Sequence, residues 1–237
     1  MKKKFYYPVE VPKIQLIIWI AAQVGVFIWG SVEFLHGKTS AFIQMIWILI
    51  FSHLWDCFQF FGHGRSFIAK IDVKSQTILT IFMFVALVLG STFNLNHEFK
   101  YFDECLHCFS GVLATWVGYD WCVIMQGEKK PVQPALASMF ALAFSMTIAI
   151  GWEFYEFSVD RLYGFAVQCS TPYVENGLID TMTDLIACAT GSVVTMLLTA
   201  FYKNGIIGKH RKEIKAKRLE EKKKWEQFTS IDDAIKK

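Results

Sequence analysis

Charged residues are scarce in this 237-residue sequence, and several long stretches contain none. Asp, Glu, Lys and Arg together make up 19% of the chain, whereas hydrophobic residues make up 54% and the mean hydropathy is +0.34. A water-soluble domain of this size needs fewer apolar residues to fill its core. The scarcity of charge therefore excludes a chain that folds wholly in water and indicates helices that lie in lipid.

Familiar motifs of catalytic and nucleotide-binding proteins are absent as well. The sequence has no internal repeat, no glycine-rich phosphate-binding loop and no segment typical of a soluble domain. It also lacks a His-Glu-x-x-His zinc motif and a serine at a recognised nucleophile elbow. An enzymatic reaction, if there is one, has no obvious nucleophile in this chain.

Six apolar windows are long enough to cross a membrane as helices, since about 20 mainly apolar residues span the roughly 30 Å hydrocarbon layer. The first window follows three lysines, as a signal peptide does, but its apolar stretch is longer than a signal core and lacks a convincing cleavage site. The sequence predicts an all-α, polytopic integral membrane helical bundle with about six transmembrane helices, formed by residues 1–202. The windows are residues 14–35, 41–61, 76–93, 104–125, 135–158 and 177–202.

The distribution of Lys and Arg predicts the orientation in the membrane. With the N-terminus inside, the inner segments carry 21 of the 24 basic residues, and the outer loops carry only Lys38, Lys100 and Arg161. Because basic residues are retained on the cytoplasmic side during insertion, both termini are expected in the cytoplasm of a cell whose plasma or inner membrane holds the protein. Residues 203–237 form a basic cytoplasmic tail, which either lies on the anionic inner leaflet or is a solvated charged helix.

Ionisable side chains recur at helical spacing in the last three windows, although each costs about 2.5–3.5 kcal/mol at the centre of a bilayer. Residues three, four or seven apart share one face of a helix. The topology puts all three faces near the outer surface, so we expect them to line one acidic, outward-facing pocket. The small residues Gly111, Gly118 and Gly191 would let these helices approach closely. The candidate pocket residues are Asp103, His107, Glu153, Glu156, Asp160, Asp180 and Asp184.

Carboxylates gathered in one pocket repel each other, by roughly 3 kcal/mol for two charges about 5 Å apart at an effective dielectric of 20. Protonation of some carboxylates, pairing with His107 or Arg161, or a bound cation would offset this repulsion. Oxygen-rich ligand sets favour calcium, magnesium or manganese over zinc. One hypothesis is therefore a divalent cation held by His107, Glu153, Glu156 and Asp184.

The same residues have a structural interpretation. Asp103 would cap the fourth helix, and Asp180 would complement the dipole of the sixth from its first turn. Cysteine usage leaves two interpretations open as well: Cys105, Cys108 and Cys169 near the outer face either form a disulfide or remain buried thiols.

A second, smaller polar cluster is predicted at the inner side of the membrane. It contains His53 and Asp56 in the second window and Asp120 in the fourth. Arg65 or Lys129 would neutralise these acids. We interpret this cluster as structural ion pairs.

Three sequence patterns in the last three windows resemble a known family. The sequence resembles the YjdF-like family of uncharacterised bacterial membrane-spanning proteins and, more distantly, the VanZ-like family, from which it departs at Cys188, where asparagine is common. The resemblance implies a bacterial plasma-membrane location and, for VanZ relatives, a link to glycopeptide resistance, but no established reaction. The matching residues are Asp103, His107 and Gly111, then Glu153, Glu156 and Asp160, then Asp180, Thr181, Asp184 and Gly191.

Four functions fit this sequence. The leading hypothesis is a pocket that binds a cation or a cationic or polar envelope ligand such as a lipid headgroup or a cell-wall precursor. The lipid bilayer is a further expected partner, and nucleic acid is not. A membrane-embedded enzyme would use His107 and Glu153 or Glu156 as general acid and base, or as metal ligands that activate water on a lipid-linked substrate. The third function is a small-solute or proton-coupled transporter, and the fourth is a purely structural or partner-binding membrane subunit.

Overall fold

The structure is a computed structural model that describes residues 11–60, 72–89, 95–126, 133–168, 175–203 and 205–235. Every regular element in these ranges is a helix. A π-helix, Phe84–Leu89, directly follows α3. The α-helices are α1 Lys13–Leu35, α2 Thr39–Phe60, α3 Val73–Met83, α4 Leu95–Glu98, α5 Phe102–Gln126, α6 Pro134–Tyr163, α7 Gly177–Lys203 and α8 Arg211–Ile235.

Four helices within the described ranges are long and apolar enough to cross a membrane: α1, α5, α6 and α7. Their ends lie within five residues of the first, fourth, fifth and sixth predicted windows. Two shorter apolar helical stretches, Thr39–Ile50 and Val73–Ala86, lie in the second and third windows. The third window is not one regular α-helix, because α3 gives way to the π-helix at Phe84, and residues 90–93 lie outside the described ranges. The prediction of an all-α membrane helical bundle is confirmed.

Buried carboxylates and exposed large apolar side chains occur next to each other on the long helices. On α6, Glu153 is 3% exposed, whereas its neighbour Phe154 is 66% exposed. In water this arrangement would cost several kcal/mol for the buried charge and for the solvated ring. In lipid the exposed phenylalanine ring contacts acyl chains, so the cost of exposing it disappears. The exposure pattern is therefore that of a membrane protein.

The chain forms two compact units, the first of which contains Met1–Asp103 and Ser158–Asn176. Its core packs α1 against α2, and Gly30 gives the side chain of Met45 room to approach the α1 backbone. The indole N–H of Trp19 donates a 2.9 Å hydrogen bond to the hydroxyl of Thr77, linking α1 to α3. The buried core residues are Val26, Trp29, Ala41, Met45, Ile48 and Val88.

The second unit contains Glu104–Phe157 and Gly177–Lys237, and thus most of α5 and α6 together with α7 and α8. Its membrane helices meet through glycine. A side chain at Gly111 would overlap the carbonyl oxygen of Cys188, and one at Gly191 would overlap the carbonyl oxygen of Cys108. The backbones of α5 and α7 are therefore in direct contact, as the small residues predicted. The boundary between a membrane domain 1–202 and a tail 203–237 stays a prediction.

Candidate functional site

Five of the seven predicted pocket residues belong to the second unit, and all five are buried. Their exposed fractions are 9% or less, although four of them are carboxylic acids. Buried ionisable groups in a membrane are costly and call for a compensating interaction. The five residues are His107 on α5, Glu153 and Glu156 on α6, and Asp180 and Asp184 on α7.

His107 lies between two carboxylates from two different helices. Its Nδ1 is 4.0 Å from Oε1 of Glu153, and its Nε2 is 3.8 Å from Oδ2 of Asp184. Both distances exceed those of a direct hydrogen bond, which joins such atoms at about 2.7–3.2 Å. One ligand atom from each of the three residues lies within 4.8 Å of the other two. We call His107, Glu153 and Asp184 the triad.

The sequence positions the triad by helical periodicity. On α6, Ala141, Ser145, Ala149 and Glu153 recur every four residues, and all are less than 5% exposed. The same stripe continues to Glu156, whose Oε1 accepts a 2.8 Å hydrogen bond from the indole N–H of Trp152. This bond fixes the Glu156 side chain along its own helix, one turn beyond Glu153.

A cluster of serine hydroxyls lies about one to two helical turns from the triad, where α5, α6 and α7 cross. The Ser145 hydroxyl has two acceptors for its one proton, the hydroxyl oxygen of Ser192 at 2.8 Å and the carbonyl oxygen of Gly111 at 3.3 Å. Ser192 also donates to the carbonyl oxygen of Cys188 at 2.8 Å. Since His107 and Asp184 are one helical turn from Gly111 and Cys188, this crossing sets the spacing of the triad.

Ser145 was not among the residues predicted from the sequence. It is completely buried, and it joins the three helices through one hydroxyl. Its signal in the sequence is its position eight residues before Glu153, in an otherwise apolar segment and on the same helical face. Its contacts with Gly111 and Ser192, which the sequence does not show, give it its role at the crossing.

The remaining two predicted pocket residues, Asp103 and Asp160, belong to the first unit. The carboxylate of Asp160 accepts hydrogen bonds from the backbone N–H groups of Val167 at 2.7 Å and Gln168 at 3.0 Å. These bonds give it a structural role in the segment that follows α6. Asp103 is half-buried. Participation of either residue in the pocket stays a prediction.

Asp120, in the predicted inner cluster, pairs with a cation that was not predicted from the sequence. Its carboxylate is 3.8 Å from the Nζ of Lys203 and accepts a 3.1 Å hydrogen bond from the indole N–H of Trp116. His53 is exposed, while the side chain of Asp56 lies outside the described residues, as do residues 65 and 129. The structural interpretation of Asp120 as an ion-pair partner is consistent with this geometry.

Two of the three cysteines that were predicted near the outer face are described by the structure, and both are free thiols. Cys105 is exposed and Cys108 is half-buried, and neither forms a disulfide. Cys169 lies outside the described ranges, so a pairing that involves it stays a prediction.

The spacing of the triad suits a single metal ion. Ions hold nitrogen and oxygen ligands at about 2.0–2.6 Å, so two ligands of one ion lie roughly 3–5 Å apart. The triad atoms fall in this interval, too far apart to bond directly and close enough to share one ion. A protonated imidazole between the two carboxylates would be a second way to offset their repulsion.

These features define a class of protein: an all-α integral membrane protein with a histidine and several carboxylates buried among its transmembrane helices. More particularly, the chain belongs to the family described as "Predicted membrane protein (DUF2238)", whose model matches residues 15–205. No curated protein and no solved structure shows a significant match to it. Membership establishes a membrane protein in contact with the lipid bilayer.

Proposed function

We propose that the protein binds a divalent cation through the triad His107, Glu153 and Asp184. The observation that carries this proposal is the approach of one ligand atom from each residue to within 4.8 Å of the other two, in the buried interior of a membrane unit. Two carboxylates and one imidazole leave room for water or a ligand group on the same ion. The oxygen-rich set favours manganese, magnesium or calcium.

The bound cation would bind an anionic or polar envelope ligand on the outer side of the membrane. Two features support an outer location of the triad. The basic residues favour cytoplasmic termini, so α5 and α7 begin on the outer side and α6 ends there. The triad lies near the start of α5 and α7 and late in α6. An ion with open coordination positions would bind a phosphate or carboxylate of a lipid headgroup or cell-wall precursor. The relation to YjdF-like and VanZ-like proteins, the plasma-membrane location and the orientation are parts of this proposal.

Metal content and thermal unfolding of the purified full-length protein test the cation site. We expect about one divalent ion per chain and, at a concentration near 100 times the Kd, a rise in Tm of about 5–10 °C. A Glu153→Gln/Asp184→Asn double variant should lose both effects. The matched control is Asp120→Asn, because this acid is about half exposed, pairs with Lys203 and lies far from the triad on α5.

Two results would refute the cation site. One is a wild-type Tm that does not change with manganese, magnesium or calcium. The other is an equal response in the double variant and in the wild type, which would assign the effect to other groups. The cation affinity should also fall as the pH is lowered, because protons compete with the ion for the carboxylates and the imidazole.

A membrane-embedded enzyme is the second candidate, and the position of His107 favours it. His107 has a carboxylate oxygen within 4.0 Å of each ring nitrogen, which supplies the groups of a general acid and base, and a bound ion would lower the pKa of a coordinated water. The substrate class would be a lipid-linked envelope precursor. Turnover of a labelled lipid-linked substrate that disappears in His107→Ala would support it, whereas absence of turnover across a broad lipid panel would count against it.

A further inference from the structure

A cavity of about 410 Å³ lies at the opposite end of the second unit from the triad. It opens where α6 begins and α7 ends. Pro134, at the start of α6, is 19 residues from Glu153, which is about 28 Å along a helix. The cavity is lined by Gln133, Pro134, Ala135, Ser138, Met196, Leu197, Ala200 and Arg218.

The tail helix α8 supplies the one cationic group among these lining residues. The chain turns after α7 with Gly205 at φ +66°. There the N–H of Gly205 bonds to the carbonyl of Tyr202, and the N–H of Ile206 bonds to that of Phe201, both at 2.9 Å. This pattern is a Schellman motif, and a side chain at position 205 would meet the backbone of Arg211. The turn therefore holds α8 close to the end of α7.

The face of α8 that carries Arg218 is the half-buried one. Ile214, Arg218, Glu221 and Trp225 are spaced by four, three and four residues, and all are half-buried, while the intervening residues are exposed. The Nη1 of Arg218 lies 3.6 Å from Oε2 of Glu221, and its side chain is 29% exposed. The guanidinium thus lines the cavity, with part of its surface accessible.

The chemistry of the walls matches a lipid rather than a soluble anion. Proline, alanine, methionine and leucine side chains form most of the lining, and the cavity lies at the ends of membrane-crossing helices, where the headgroups and the first methylenes of lipids are found. A guanidinium binds phosphate oxygens in a bidentate manner. The volume is within the range of small-molecule pockets, roughly 300–1,000 Å³, which holds a headgroup and the beginning of an acyl chain.

The charge of the surrounding surface is complementary to the same ligand. Residues 203–237 contain 12 Lys and Arg against six Asp and Glu, a net charge of +6, and most of the cations are exposed on α8 where the structure describes them. Such residues attract anionic lipids near a membrane surface. The exposed lysines would concentrate anionic lipid at the cavity, while Arg218 and the apolar walls would select one molecule of it.

We propose that this cavity is a specific binding site for one anionic glycerophospholipid, with its phosphate on Arg218 and its first acyl methylenes against Ala135, Leu197 and Ala200. This site is separate from the triad, and it does not depend on the cation proposal.

Native mass spectrometry of the full-length protein, released from nanodiscs of mixed phosphatidylglycerol and phosphatidylcholine, tests the site. The wild type should retain one phosphatidylglycerol and discriminate at least about tenfold against phosphatidylcholine, because both lipids present a phosphate to Arg218 but the cationic residues of α8 would repel the choline ammonium group. Arg218→Gln should reduce this retention about tenfold. Lys222→Gln is the matched control, because it removes the same charge from α8 at a side chain that is 74% exposed.

A second variant separates the pocket from general attraction to the tail. Ala200→Phe fills the cavity and leaves every charge in place, so it should also abolish retention. Thermal unfolding of each variant verifies that it is folded, and soluble glycerol phosphate, which lacks acyl chains, should not displace the lipid. Equal retention in Arg218→Gln and Lys222→Gln, unchanged retention in Ala200→Phe, or displacement by glycerol phosphate would overturn the proposal.

Discussion

The crossing of α5 and α7 can be tested with one methyl group. In Gly191→Ala, the added Cβ would overlap the backbone carbonyl oxygen of Cys108 and lie 3.3 Å from its sulfur. A backbone oxygen cannot rotate away, so the two helices must separate by about 1 Å to restore van der Waals contact. The matched control is Gly151→Ala on α6, where a Cβ would have nothing within 4 Å.

The expected magnitude follows from two opposing terms. Replacing glycine by alanine inside a helix stabilises the helix by about 0.5–1 kcal/mol, and the control should show this gain alone. Overpacking at the crossing costs about 1–3 kcal/mol, so the free energies of unfolding of the two variants should differ by about that amount. For a chain of this size that corresponds to roughly 2–12 °C in Tm.

Thermal unfolding of purified full-length protein in one fixed detergent measures this difference. Gly191→Ala should have the lower Tm, and its cation affinity should fall by about tenfold or more, because His107 and Asp184 are positioned by the same crossing. Equal Tm values for Gly191→Ala and Gly151→Ala would show that α5 and α7 are not in backbone contact, and would refute the reasoning.

Three further perturbations follow from single hydrogen bonds. Ser192→Ala removes the link to Ser145 and should lower the free energy of unfolding by about 0.6 kcal/mol, the typical value of such a bond inside membranes. In the variant with alanine at both Ser145 and Ser192 the two losses should not add, and chemical denaturation measures the free energies of unfolding of all three variants. Asp160→Ala leaves two backbone N–H groups without their acceptor, so hydrogen exchange in residues 164–168 should increase. Cation binding should not change, and loss of cation binding would instead place Asp160 in the pocket. Trp19→Phe removes the bond to Thr77 and should cost a similar 0.6 kcal/mol or so, and an unchanged Tm would argue against that contact.

The sequence was sufficient to predict the helices of the membrane region because their signals are local. Length, hydropathy and the 3.6-residue period depend only on neighbouring residues, so the windows for α1, α5, α6 and α7 agree with the structure to within five residues. The same period predicted the polar stripes on α5, α6 and α7. It could not predict the π-helix at Phe84–Leu89, whose wider turn has no clear signal in an apolar run.

The rotation of each helix about its axis, and hence the partners of each polar residue, was decided by tertiary packing. The sequence put seven ionisable residues on suitable faces, but the close contact of Gly111 and Gly191 with the opposite backbone is what brings His107 to 3.8 Å from Asp184. Asp160 shares the stripe of Glu153 in sequence, yet its carboxylate bonds to the backbone beyond its own helix. Periodicity fixes which side chains share a face, whereas only the distances between helices determine which faces meet.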